Sequence, residues 1–250
     1  MGFRDFQDKV KRYFKFSKEE VTGILIAALV FGFIASYREW GYGAEFEFFV
    51  GLKNLINATI ISLLAIIVHE SAHKLYGVHR GYDVKTRIWW YGIAAAIILC
   101  IISRGYLWFF VLSGMTLHHL AIQRLGKFRY GVRPIDLGMI GLAGSLANII
   151  LATLLKTLVL WFPTLPINAA LVHKAFLINW AVAIFNLLPI PPLDGIHTFF
   201  YSRLFYITIF GFIAGYGLLV YFNIYSWIFA LLIAGIAWLL FYMFFEKEAI

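Results

Sequence analysis

The residues best suited to chemistry in this sequence are His69 and His73, which lie four positions apart with Glu70 beside the first. On a helix, residues four apart lie one turn above each other, so both imidazoles can bind one metal ion. Glu70 is rotated by about 100° from His69 and can reach a metal-bound water as a general base. This HExxH pattern is typical of zinc hydrolases. The alternative is a hydrogen-bonded histidine pair without a metal, which is costly at the end of an apolar segment.

A third metal ligand must come from elsewhere, because a catalytic zinc usually has three protein ligands and one open position. Asp194 is the best candidate, since it lies in Pro191-Pro192-Leu193-Asp194-Gly195 just after an apolar segment. Proline there prevents a regular helix, so the chain can turn a carboxylate toward a neighbouring helix. The alternative is an ordinary Asp-Gly turn. Because the chain has a single cysteine, the ligands of one Zn²⁺ per chain must be histidine and carboxylate.

Other polar residues in apolar surroundings are assigned weaker roles. Asn148 follows Gly144 in an apolar segment, where it either bonds a neighbouring helix or donates to a substrate carbonyl as negative charge develops. Asp136 is expected to cap the next helix and to pair with an arginine. His79, His173 and His197 are expected to be interfacial or hydrogen-bonded residues. His118 and His119 are adjacent, so both cannot face one metal from a helix, although one could do so from a strand. None of these five histidines is assigned as a ligand.

Composition predicts that these residues lie in a membrane. The chain is 62% hydrophobic and 14% charged, with a mean hydropathy of +0.83. A soluble domain has about 25% charged residues. We therefore predict an all-α polytopic membrane protein with about six to eight transmembrane or re-entrant segments.

The long apolar segments locate these spans. They lie near residues 21–37, 49–76, 137–162, 169–187, 204–222 and 225–245, with Gly77 as the stop of the second. Residues 21–250 would form one integral-membrane domain with a catalytic core at about 49–201. The region 88–120 is either a helical hairpin or a helix followed by a re-entrant extended segment near 106–117, which contains the aromatic run from Tyr106 to Leu112.

Basic residues predict the orientation. Residues 1–20 read as a basic amphipathic helix retained on the bilayer surface, although the start of a signal sequence is an alternative. Most of the 21 Lys and Arg, including a basic stretch at 124–133, fall on one side if the N-terminus is cytoplasmic. The active site is then expected at the cytoplasmic side of the cell membrane. The net charge of +8 follows topology, so no nucleic-acid partner is expected.

Three stretches resemble the motifs of the site-2 protease family, which are intramembrane zinc metalloproteases. They are His69-Glu70-Ser71-Ala72-His73, Ala143-Gly144-Ser145-Leu146-Ala147-Asn148 and Asn186-Leu187-Leu188-Pro189-Ile190-Pro191-Pro192-Leu193-Asp194-Gly195. The resemblance spans about residues 55–201 and implies a minimal core member without a PDZ or other sensory domain.

The resemblance also implies roles for individual residues. His69, His73 and Asp194 would bind zinc, Glu70 would be the base, and Asn148 would contact the substrate or transition state. The substrate would be a transmembrane protein, cleaved in regulated intramembrane proteolysis. Two other functions stay open: a metal-ion transporter, and a catalytically silent membrane scaffold of protease descent. The sequence leaves the oligomeric state unknown.

Overall fold

The computed structural model describes residues 3–41, 45–111, 113–120, 131–162 and 168–247. In chain order its elements are α1 (Phe3–Tyr13), α2 (Lys18–Ser36), α3 (Phe48–Arg80), β1 (Tyr82–Ile88), α4 (Trp90–Ile102), β2 (Ser113–His119), α5 (Pro134–Trp161), α6 (Ala169–Asn186), α7 (Gly195–Tyr201), α8 (Arg203–Tyr221) and α9 (Trp227–Phe241), followed by a π-helical turn, Tyr242–Glu246. Of the basic stretch at 124–133, residues 124–130 lie outside the described residues, as does Leu112 of the aromatic run.

Six of the described helices are long and apolar enough to cross a membrane. They are α2, α3, α5, α6, α8 and α9 with its terminal turn. Helix α4 is apolar but has 13 residues, which span about 20 Å and fall short of a hydrocarbon core of about 30 Å. The prediction of an all-α polytopic membrane protein is confirmed.

Helix α2 begins at Lys18, before the predicted start near residue 21, because a capping box fixes its first turn. The Ser17 hydroxyl accepts a hydrogen bond from the Glu20 amide at 3.2 Å, and the Glu20 carboxylate accepts one from the Ser17 amide at 2.7 Å. These bonds satisfy two of the amides that a helix start leaves free. Within the predicted segment 1–20, residues 3–13 therefore form α1 and residues 18–20 begin α2.

The prediction that α3 stops at Gly77 is wrong. The helix continues to Arg80 and ends at Gly81, whose φ of 91° is left-handed and suits glycine. Gly77 serves packing instead, because a Cβ there would lie 2.2 Å from Cγ2 of Val84 on β1. His73 thus lies about two turns inside the helix, where its backbone is firmly held.

The region after α3 forms a two-stranded antiparallel sheet, and α4 connects its two strands in the sequence. Of the two predicted arrangements, the helix followed by an extended segment is the one observed. The strand is Ser113–His119, whereas residues 106–111 form no regular element, so the extended segment starts later than predicted. Its partner β1 was not predicted. In this strand the exposed Lys85 and Arg87 alternate with buried Val84 and Thr86.

Helix α3 is the central element of the site region. It packs against α2, against α5 and α6, and against β1. A core of small and aromatic side chains lies between α2 and α3, including Ala28, Phe31, Ala58 and Ala65. The position of α3 is therefore fixed on several sides.

A buried ion pair joins α2 to the end of the histidine motif. Lys74 Nζ lies 2.7 Å from Glu20 Oε1 and donates a second bond to the Val84 carbonyl at 2.7 Å. The same Glu20 oxygen accepts from the Thr86 amide at 3.1 Å. One carboxylate thus holds α2, α3 and β1 together.

Removing one charge of this pair should destabilise the fold strongly. We expect Lys74→Met to lower the free energy of unfolding by about 3–5 kcal/mol, because Glu20 would stay buried with an uncompensated charge. Reversible unfolding in mixed micelles measures this. The control is Lys9→Met, which breaks the surface pair Lys9–Asp5 and should cost about 0.2–1 kcal/mol. Equal losses in the two variants would contradict the expectation.

Candidate active site

Three potential metal ligands from distant parts of the chain meet in the protein interior. Asp194 Oδ2 lies 3.0 Å from Nε2 of His69 and 3.1 Å from Nε2 of His73. All three side chains are buried, and within the described residues they form the one His, Cys, Asp or Glu cluster that could hold a metal ion. Ligand atoms of a tetrahedral zinc site lie about 3.3 Å apart, given bonds near 2.0–2.1 Å. The spacing of the cluster therefore suits zinc.

Asp194 reaches α3 because the chain folds back sharply after α6. Helix α6 ends at Asn186, and the turns that follow contain Pro189, Pro191 and Pro192. Gly195 then passes so close to the end of α6 that a Cβ would lie 1.9 Å from the Leu187 carbonyl oxygen. This close approach requires glycine and directs the Asp194 carboxylate toward the two histidines.

Asp194 is the anionic member of the cluster. Burial alone would raise the pKa of its carboxyl, but positive charge on His73 and hydrogen bonds from both imidazoles outweigh burial and lower this pKa below its usual value. A metal cation in place of those protons would act in the same direction. The carboxylate is therefore held in the ionised form that binds metals.

The Nδ1 atoms of both histidine rings, which point away from Asp194, are hydrogen-bonded to fixed acceptors. His73 Nδ1 donates to the Ile140 carbonyl at 2.6 Å, and His69 Nδ1 lies 2.8 Å from Asn148 Oδ1. The Asn148 amide nitrogen donates to the Ala65 carbonyl and to Asn179 Oδ1, so Oδ1 is the atom that accepts from His69. Both rings thus present Nε2 to Asp194, as histidine ligands with an outer hydrogen bond do.

Asn148 should matter for metal affinity through His69. We expect Asn148→Leu to weaken zinc binding by about 10–100-fold, because the ring loses the acceptor that fixes its orientation. Competition with a chelator of known affinity measures this. Asn54→Leu is the control, since Asn54 bonds the Glu39 carbonyl at another part of the fold. An unchanged zinc affinity in Asn148→Leu would exclude the orienting role.

Gly144 provides the space that both rings occupy. A Cβ at this position would lie 2.4 Å from Nε2 of His73 and 2.7 Å from Nε2 of His69. Helix α5 can therefore approach α3 only through glycine here. Gly144 therefore leaves room for the two Nε2 atoms that face Asp194.

Glu70 has one carboxylate oxygen held and one free of partners. Oε1 accepts a hydrogen bond from the Ser113 hydroxyl at 2.8 Å, and Oε2 is buried without a hydrogen-bond partner. Leaving such an atom unpaired costs about 1–3 kcal/mol, which suggests that a ligand or water satisfies it during function.

A cavity of about 780 Å³ leads to Glu70 from the side of α2. Its walls come from the first half of α2, the end of β1 and the start of β2. Its polar lining residues include Lys18, Glu20, Thr86, Arg87 and Ser113. Glu70 therefore lies at the wall of this cavity.

The other polar candidates lie outside the cluster. Asp136 accepts bonds from Arg80, Arg133 and Tyr82, which bears out the expected pairing with arginine. The expectation that Asp136 caps α5 is wrong, because Arg133 occupies the capping position. The five remaining histidines do not belong to the candidate metal cluster: His79, His118, His119, His173 and His197. Two residues near the site were missed, Ser113 and Asn179. Ser113 directly follows the aromatic run, but this position gives no indication of a contact with Glu70.

A comparison with known proteins identifies the family. Over 186 residues the chain is 30% identical to a protein of Methanocaldococcus jannaschii named "Putative zinc metalloprotease". The aligned region covers 73% of this chain and 84% of that protein. The chain belongs to this zinc metalloprotease family. No family model matches this metalloprotease, and no solved structure does.

Proposed function

We propose that this zinc metalloprotease is an intramembrane protease of the site-2 type, which hydrolyses a peptide bond in or near a transmembrane segment of another protein. The observation that carries the proposal is the placement of the cluster. Its histidines and Glu70 lie on α3, which is a candidate membrane span, and Asp194 follows α6, which is another. Ionisable groups buried among membrane spans are typical of functional sites.

His69, His73 and Asp194 are the proposed ligands of one zinc ion per chain. Two imidazole nitrogens and one carboxylate oxygen are a donor set that zinc accepts readily, and three protein ligands leave one position open. Zinc bound there would lower the pKa of a bound water toward about 7 and polarise the scissile carbonyl.

Glu70 is the proposed general base. Its Oε2 accepts the proton of the attacking water, and the carboxyl later returns that proton to the leaving amine. The bond from Ser113 to Oε1 supports this role, because it leaves Oε2 as the oxygen without a partner.

Asn148 is proposed to act on the ring of His69. Both hydrogens of its amide already go to Ala65 and Asn179, so no donor is left for a substrate carbonyl. These contacts favour an orienting role over the direct contact with substrate that the family resemblance implies.

The proposed substrate is a membrane protein whose transmembrane segment unwinds locally, since helical hydrogen bonds shield its carbonyl groups. The cavity at Glu70 has an apolar wall that suits such a segment, formed by Ile24, Ala27, Ile66 and Ile88. Its polar end near Lys18 suits a point at which the segment meets water. We place this end at the cytoplasmic side of the cell membrane, as the distribution of basic residues predicts.

Cleavage in proteoliposomes tests the proposal. Purified protein and a panel of single-span proteins would be reconstituted together, and the product ends mapped by mass spectrometry. We expect cuts in or near the spans that stop on zinc chelation and resume when zinc is restored. A soluble unstructured peptide added outside the liposomes is the comparison substrate.

Other outcomes would support the rival functions. Zinc flux into sealed liposomes without cleavage would support the transporter. Stoichiometric zinc without cleavage of any panel member would support the scaffold. Cuts confined to the soluble peptide would place the activity outside the membrane.

A further inference from the structure

A hydroxyl on β2 contacts the proposed base directly. Ser113 is the first residue of β2, and its Oγ donates to Glu70 Oε1 at 2.8 Å. We propose that Ser113 is a positioning residue that holds the Glu70 carboxylate with Oε2 toward the attacking water, an inference that rests on the proposed function.

The two oxygens of Glu70 have different surroundings, which is what this role requires. Oε1 is occupied by the hydroxyl, whereas Oε2 is buried and has no partner. A carboxylate on a flexible side chain can rotate and exchange its oxygens. A hydrogen bond to Oε1 prevents this exchange, so Oε2 keeps a single orientation.

The strand that carries Ser113 is itself fixed on two sides. Ser113 pairs with Ile88 and Gly114 with Arg87 in the sheet. On the other side, a Cβ at Gly114 would lie 2.8 Å from Cβ of Pro192, so β2 lies directly against the turn that ends in Asp194. The strand that carries Ser113 is therefore held between β1 and the turn that carries Asp194.

Ser113 also faces the space from which substrate would arrive. Ser113 and Glu70 both line the cavity of about 780 Å³. A hydroxyl buried in a closed core could be explained by packing alone. Here the hydroxyl and the base meet at the wall of an accessible cavity, which points to a role in the reaction.

The test compares Ser113→Ala, Ser113→Thr and Thr116→Ala in the proteoliposome assay. Thr116 is the matched control, because it lies on the same strand and its hydroxyl bonds the Lys85 carbonyl. We expect Ser113→Ala to lower kcat by about 10–100-fold with KM within about twofold of wild type. Ser113→Thr keeps the hydroxyl, so its kcat should stay within about threefold of the wild-type value. The kcat of Thr116→Ala should equal that of wild type.

Bound zinc provides a readout that does not depend on turnover. All three variants should bind as much zinc as wild type, because Ser113 contacts the base and none of the proposed ligands. A Ser113→Ala variant with wild-type kcat would overturn the inference, as would a loss of zinc or an equal loss in Ser113→Thr. Inactive wild-type protein would instead reject the proposed function, so the two failures are distinguishable.

Discussion

Replacing Glu70 by glutamine should abolish cleavage and leave zinc bound. Glutamine keeps the size of the side chain and can still bond Ser113 through its amide oxygen, but it cannot accept the proton of the attacking water. General base catalysis contributes about 10²–10⁴-fold to rates, so kcat should fall by at least about 10²-fold. Zinc content should stay at the wild-type value, since Glu70 is not one of the three clustered ligands.

The measurement combines initial cleavage rates in proteoliposomes with metal analysis of the same samples. Glu19→Gln is the control, because Glu19 also lines the cavity but lies at its exposed end. It should cleave at the wild-type rate. Cleavage by Glu70→Gln at more than about a tenth of the wild-type rate would reject the assigned base.

Adding one methyl group at Gly144, on α5, should disrupt the site formed by the histidines of α3. The new Cβ would lie within 2.7 Å of Nε2 on both histidines, so either the rings or α5 must move. Displacing catalytic groups by about 1 Å costs about 10²-fold in rate. We expect Gly144→Ala to cleave at least about 10²-fold more slowly and to bind less zinc than wild type.

The chain offers a close control for this change. Gly235 lies in α9, where a Cβ would meet nothing within 4 Å. Gly235→Ala should therefore keep wild-type zinc content and activity, and its helix should gain slightly in stability. Full zinc binding by Gly144→Ala would mean that α5 can retreat from α3 without harm to the site.

The spans were predictable because long apolar segments allow few alternatives in a membrane. The convergence of His69 and Asp194 was predictable from chemistry, because a catalytic metal needs a third ligand. The end of α3 was not predictable, because the sequence does not distinguish the roles of Gly77 and Gly81. Gly77 allows β1 to approach closely, whereas Gly81 adopts a left-handed conformation.

The partners around the site could not be predicted, because they depend on which side chains meet after folding. Lys74 follows the histidine motif, but the sequence gives no sign that Glu20 on α2 neutralises it. Ser113 carries no more information in the sequence than any other serine. Its contact with Glu70 depends on the pairing of β2 with β1, and β1 was not predicted from the sequence.

The long sequence separation within the cluster has a consequence for biosynthesis. His69 and Asp194 are 125 residues apart, so a chain emerging from the ribosome carries both histidines well before it carries the third ligand. Over that interval the growing chain has two of the three proposed ligands, too few for the complete site. Zinc capture then depends on the docking of the turn after α6, and the ion adds its binding free energy to the late steps of folding. We therefore expect the proposed site to be completed only after α6 and the turn that carries Asp194 have been synthesised.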